Sequence, residues 1–130
     1  MGSVFDWPPA KQEDDLFGAL ARVAIPVAGG LEIVSIAQID WFESDGNYIR
    51  IFIDGSPRTI RATLRGFAAR LDPGQFRQIH RSTVVNVSRI IGLRAGVNGD
   101  GVVVLGLGRT LRLSRRYRQS LLEVLLFPLV

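Results

Sequence analysis

The feature that most constrains this chain is the run Asn47–Ile53, NYIRIFI. Ile49, Ile51 and Ile53 fall on one side of an extended segment, and Tyr48, Arg50 and Phe52 on the other. Strict alternation marks a β-strand, because successive side chains point to opposite faces. Asp54-Gly55 follows as a turn, and PRTIRAT pairs back as the next strand. The same period appears earlier. RVAIPVAG alternates Val23, Ile25 and Val27, with Pro26 marking an edge strand; Gly29-Gly30 turns the chain and LEIVSI returns it.

The period then changes. Leu64, Phe67, Ala68 and Leu71 lie on one face of a helix that Thr63 can cap and Asp72-Pro73-Gly74 ends. Strands are expected again around Phe76–Ile79, Ile90–Val97, Val102–Leu107 and Thr110–Leu113, with Asn98-Gly99-Asp100-Gly101 as a hairpin turn. From Arg115 a helical pattern returns, with Tyr117, Leu121, Val124 and Leu125 on one side. Closely spaced hairpins with one internal and one terminal helix define a mostly β domain, a sandwich or a stack of small sheets.

At 130 residues the chain is about one domain. Residues 1–20 read as an acidic N-terminal tail or linker, with a short helix from Asp15 to Arg22 leading in; residues 21–126 form the domain and 127–130 a C-terminal tail. No run of 18 apolar residues suggests a membrane span, and the start lacks the basic-then-apolar order of a signal peptide. The absence of cysteine excludes disulfides and thiol chemistry and fits a cytoplasmic location.

Charge is uneven. Met1 to Leu20 carries one lysine and four acids, whereas Arg58 to Arg118 carries thirteen arginines against Asp72 and Asp100. The guanidinium fork suits phosphate oxygens and guanine edges, so this part of the chain expects a polyanion or remains a solvated basic surface.

The segment FRQIHRSTVVNVSRI holds the sole histidine, His80. In a continuous strand His80 and Ser82 would share a face about 7 Å apart, too far for a nucleophile and its base. There is no GxSxG elbow, no phosphate-binding glycine loop and no second histidine for a metal. No enzymatic activity, metal or cofactor is therefore expected. His80 and Asn86 suit hydrogen-bonded scaffold roles, Asn86 at a turn or cap. Arg81 and Ser82 fall on an exposed bend with no local acid.

A second stretch, RLSRRYRQSLL, places Ser114 as a helix cap and Arg115, Arg116 and Arg118 in the first turns. Cations there oppose the helix dipole unless an anion arrives, as a phosphate can. A third, DWFESDGNYIRI, offers Asn47 and Tyr48 at a loop tip, with Trp41 and Phe42 as packing residues and Glu43 positioned to brace an arginine.

In this order, IDWFESDGNYIRIFI, TLRGFAARLDPGQFRQIHRSTVVNVSRIIGL and LRLSRRYRQSLLEVL resemble the LytTR family of bacterial DNA-binding domains over roughly Val23 to Leu125. The resemblance implies small antiparallel sheets stacked in an elongated array, and a response-regulator-like role in transcription regulation. It implies loops entering successive major grooves of a direct-repeat promoter site and bending the double-stranded DNA. It implies base contacts by Arg81 and Arg116, with Asn47 or Tyr48 from the first loop. Phosphate contacts fall to Ser82, Ser114, Arg115 and Arg118, and His80 and Asn86 shape the loop. The family's usual N-terminal receiver domain has no counterpart in the roughly 20 residues before the fold, so a partner protein or a missing regulatory domain is expected to supply regulation. Two copies can meet on one site. Two other readings stay open: an arginine-rich module docking an acidic protein partner, its own acidic segment included, and a non-specific RNA binder. The second has few exposed aromatics to stack bases.

Overall fold

In the computed structural model, which describes residues 20–126, ten strands form three antiparallel sheets with two helices. β1 (Arg22–Val27) and β2 (Gly30–Ser35) make a hairpin. A 3₁₀ turn at Ile36–Gln38 leads into β3 (Trp41–Asp45), β4 (Tyr48–Ile53) and β5 (Ser56–Arg61). α1 (Leu64–Ala68) then crosses to β6 (Phe76–His80) and β7 (Thr83–Asn86). These last five strands form one sheet in the order β5-β4-β3-β7-β6. β8 (Ile90–Ala95), β9 (Gly101–Leu105) and β10 (Thr110–Leu113) form the third sheet, and α2 (Arg115–Leu126) follows.

The five-stranded sheet separates two apolar cores. On one face Phe42, Ile49, Ile51, Ile53, Phe76 and Val84 pack against Ile25 and Val34 of the hairpin and Phe67 of α1. On the other, Trp41, Phe52, Ile79 and Val85 pack against Val103, Leu105, Leu113 and Leu121. The alternation of β4 thus divides its side chains as expected: the isoleucines enter the first core and Phe52 the second. Each fully buried side chain of this size contributes about 1.5–3 kcal/mol. The rings interlock: Phe42 meets Phe67 edge-on at 4.9 Å, and Trp41 stacks on Phe52 at 4.2 Å.

Several elements differ from the sequence pattern. β3 and β7, the middle of the sheet, are strands where the sequence suggested a loop approach and a bend. Arg22 lies in β1, so no helix extends to it; residues 15–19 lie outside the described region. Leu20 already belongs to the fold, donating its N–H to Arg70 O at 2.9 Å and packing on the first core. α1 ends before Leu71, although Leu71 is buried as its periodicity required. Thr63 caps that helix, its side chain accepting from Gly66 N at 2.9 Å. β8 stops at Ala95 because a 3₁₀ turn at Val97–Gly99 takes over, with Asn98 left-handed at φ 57°. β9 stops at Leu105, where the chain turns through Gly106–Gly108.

Candidate nucleic-acid interface

Antiparallel pairing brings the sequence-identified stretches to one end of the five-stranded sheet. β3 runs toward Gly46–Asn47 and β4 runs away from it. β7 flanks β3 on the other side, so the β6–β7 bend at Arg81–Ser82 falls at the same end. Ser44 N donates to Ser82 O at 2.9 Å and ties the two tips. Ser114 N donates to Ile79 O at 2.8 Å, which sets the start of α2 beside the outer edge of β6.

The bend is built locally. The β6–β7 register shifts between Gln78 and His80, a bulge of the kind that re-aims a side chain at the end of a ladder. His80 Nδ1 accepts from Ser82 N at 3.2 Å and lies 2.9 Å from Ser82 Oγ. The separation expected for a continuous strand is therefore wrong: the chain reverses at Arg81–Ser82 and the side chains meet. Both donors come from one turn residue, so the imidazole closes the bend. Burial, then the positive charges of Arg112 and Arg81, lower the His80 pKa, which favours the neutral ring this accepting role needs. Gln78 Nε2 adds a bond to His80 O at 3.2 Å. Arg81 is exposed and Ser82 half-buried.

Asn86 has a different place from the one inferred. It lies at the opposite end of β7, because the four-residue strand separates it from the bend. Fully buried, it donates Nδ2 to Ile39 O at 2.8 Å. Its Oδ1 accepts from Ser88 N at 3.1 Å and Ser88 Oγ at 2.8 Å, capping the 3₁₀ turn Val87–Arg89. It holds the β7–β8 connection, not the Arg81 bend.

At α2 the anion that the arginine-rich start requires is supplied by the chain. Asp100, on the β8–β9 turn, accepts from Arg115 N at 3.2 Å and from Arg112 Nη2 at 2.8 Å. The Arg112 hydrogen bond, then the Arg115 N–H, hold its carboxyl below the usual range. Nothing in the sequence spacing marks this partner, twelve and fifteen residues before the groups it binds. Arg115 and Arg116 remain exposed, with the Arg116 guanidinium 5.7 Å from the Tyr117 ring. Arg118 borders a shallow cleft with Arg94 and Leu122, on the side of the three-stranded sheet.

In the first loop Asn47 is exposed and Tyr48 is 43% exposed. Glu43 stands opposite Arg50 in the ladder but accepts from Trp41 Nε1 at 3.3 Å. Ion pairs among the described residues tie Arg58 to Glu32, Arg89 to Asp40 and Arg112 to Asp100. No group of three metal-type ligands occurs among these residues, and none of their helices is long and apolar enough to cross a membrane.

Exposed Arg81 on the β6–β7 turn and exposed Arg115 and Arg116 at the start of α2 make a basic surface at this end of the sheet. The LytTr DNA-binding domain matches residues 29–126, and the chain belongs to that family. It is 30% identical over 91 residues to the CO-responsive transcriptional regulator RcoM of Rhodospirillum rubrum, covering 70% of this chain and 38% of that protein. It is 31% identical over 64 residues to an uncharacterized response regulatory protein of Vibrio cholerae, covering 46% and 24%. The fold matches the LytTr DNA-binding domain of a methyl-accepting/DNA response regulator from Bacillus cereus with a TM-score of 0.73 at 19% identity, over 82% of this chain and 98% of that one. The antiparallel stack expected from the resemblance is therefore the fold observed.

Proposed function

We propose that this domain serves a transcription regulator and reads double-stranded promoter DNA from the tip end of its central sheet. The observation that carries the reading is the pair of backbone bonds, Ser44 to Ser82 and Ser114 to Ile79, which gather three separate arginine- or amide-bearing stretches. Arg81 and Arg116 read major-groove base edges, where an arginine fork matches guanine O6 and N7, and the loops of domains on a direct repeat enter successive grooves. Asn47 and Tyr48 supply a shorter-range contact from the first loop. Ser82, Ser114, Arg115 and Arg118 hold phosphates and set the register. Two domains on a direct repeat bend the duplex, and the deformation adds specificity at uncontacted steps. The curated relatives extend well beyond the segment they share with this chain, and the input signal comes from a partner or a domain outside that segment.

A binding titration tests this with a duplex selected by the protein from a random pool, a random duplex and an RNA, each at two salt concentrations. Affinity for the selected duplex falls by orders of magnitude between about 50 and 200 mM salt, while its preference over the random duplex persists. Equal affinity for all three nucleic acids would falsify sequence reading.

A further inference from the structure

We infer that Arg61, assisted by Arg50, forms a second phosphate-binding strip on the β4–β5 edge of the sheet; this rests on the DNA-reading orientation above. The two strands pair with Tyr48 opposite Arg61 and Arg50 opposite Thr59, which puts Tyr48, Arg50 and Arg61 on one face. The Arg61 guanidinium lies 6.0 Å from the Tyr48 ring centre, and that of Arg50 lies 5.3 Å from the Phe52 ring centre. An aromatic face steadies a cation without consuming its N–H donors as a carboxylate does. Neither arginine has an ion-pair partner among the described residues.

Arg58, on the same strand, is the internal contrast. It points to the other face, where Glu32 holds its Nε at 3.2 Å. One strand therefore carries one arginine tied to an acid and one held open. Glu43, opposite Arg50, weakens that arginine's share, so Arg61 carries most of the effect.

Position decides the ligand. Arg61 pairs with the first residue of β4, beside the Gly46–Asn47 tip. Across the strand order β5-β4-β3-β7-β6 the sheet is about 19 Å wide at ordinary strand spacing. Ser114 then adds the start of α2 beyond β6. This row runs from Arg61 past Tyr48 and Arg81 to Arg116 and is wider than one major groove of about 12 Å. When Arg81 occupies the groove, Arg61 overlies the flanking sugar–phosphate backbone.

The experiment is a salt titration of the full chain against the selected and the random duplex, comparing wild type with Arg61→Gln, Arg50→Gln/Arg61→Gln, Arg58→Gln and Arg116→Ala. One lost phosphate contact flattens the slope of log affinity against log salt by about 0.9, which is roughly eightfold in affinity at 0.1 M salt. Arg61→Gln flattens the slope by that amount on both duplexes, the double variant flattens it further, and Arg58→Gln leaves it unchanged. Thermal melting of each variant separates lost contacts from lost folding. A wild-type slope in Arg61→Gln overturns the strip; if the preference for the selected duplex survives and Arg116→Ala loses it, the base-reading assignment stands without the strip. A slope unchanged by Arg61→Gln but with preference lost also overturns it, because Arg61 then reads a base. If wild type itself shows no preference, base reading falls, and the slopes still decide the strip.

Discussion

The two ends of the central sheet use the same residue types to opposite effect. At the end away from the tips, charges answer one another. Asp40 binds Arg89 at 3.2 Å and accepts from Asp54 N at 2.8 Å, Arg89 also reaches Ala37 O at 3.0 Å, and Arg109 reaches Asp54 O at 3.2 Å. Arg109 lies so close over Gly55, which is left-handed at φ 78°, that a side chain there would collide with its guanidinium. A cleft of about 310 Å³ remains, lined by the Asp40–Arg89 pair and by Arg109 bonded to the Asp54 carbonyl. At the tip end Asp100 pairs with Arg112 at the start of α2; Arg61, Arg81, Arg115 and Arg116 have no acid salt-bridged to their guanidiniums among the described residues, and the β6–β7 turn is held by the neutral His80. Internal pairing makes an end structural, and the lack of it leaves donors for a ligand.

The sharpest break of this contrast is Asn86→Ala. It strands the buried Ile39 carbonyl, uncaps the Val87–Arg89 turn and empties a fully buried site, lowering stability by about 3 kcal/mol, measured by urea unfolding. DNA affinity measured below the transition stays near wild type. Next, Arg81→Ala and Arg116→Ala each weaken binding to the selected duplex by about 1–3 kcal/mol and relax preference at one base position, with unfolding unchanged. A uniform loss over all sequences would reassign the residue to phosphate. Arg89→Ala should do the reverse, lowering stability by about 1 kcal/mol and leaving the binding curve alone. His80→Ala lies between, reducing stability by about 1 kcal/mol and affinity with it, because the bend carrying Arg81 loosens. Loss of affinity with no change in melting would remove the positioning role.

The smallest effects are electrostatic. The folded His80 pKa is below the ordinary 6.5, so the unfolded chain takes up the proton first. Its contribution is complete above about pH 6.5 and is lost as pH falls through the folded value. His80→Gln should remove that part of the acid slope. Asp100 is also lowered, from 3.8, so its contribution is present above that value and lost as pH falls through the folded one. Asp100→Asn should destabilise slightly and strengthen binding to random duplex, since an acid leaves the tip end. Unchanged random-duplex binding would show that Asp100 is only a helix cap.

Much of this arrangement is written locally. The isoleucines of β4 and the glycine and proline punctuation mark the strands and both helices, and the order of the three stretches marks the family. The middle strands are not marked in that way. Trp41-Phe42 runs into Glu43-Ser44-Asp45, and Thr83–Asn86 follows His-Arg-Ser, so each looks like the flank of a loop. They become strands because they pair with each other across some forty residues, and strand preference depends on such neighbours. Asp100 is hidden for a related reason, since it meets Arg112 and the start of α2 only once β9 and β10 have folded back. A continuous strand would hold the His80 and Ser82 side chains apart; the bulge and reversal that join them come from the pairing of β6 with β7.

The turns Gly46–Asn47 and Arg81–Ser82 span two residues each; β3, β4 and β7 have strand neighbours on both sides, and the edge strand β6 is bonded to Ser114 at the start of α2. Almost no chain is left to order when a ligand arrives. Calorimetry of binding should therefore show a heat-capacity change set by the surface in contact, without the larger signature of coupled folding. Any misfit between the row of tips and straight B-form geometry then falls on the duplex, whose stiffness enters the affinity through the sequence between the contacts.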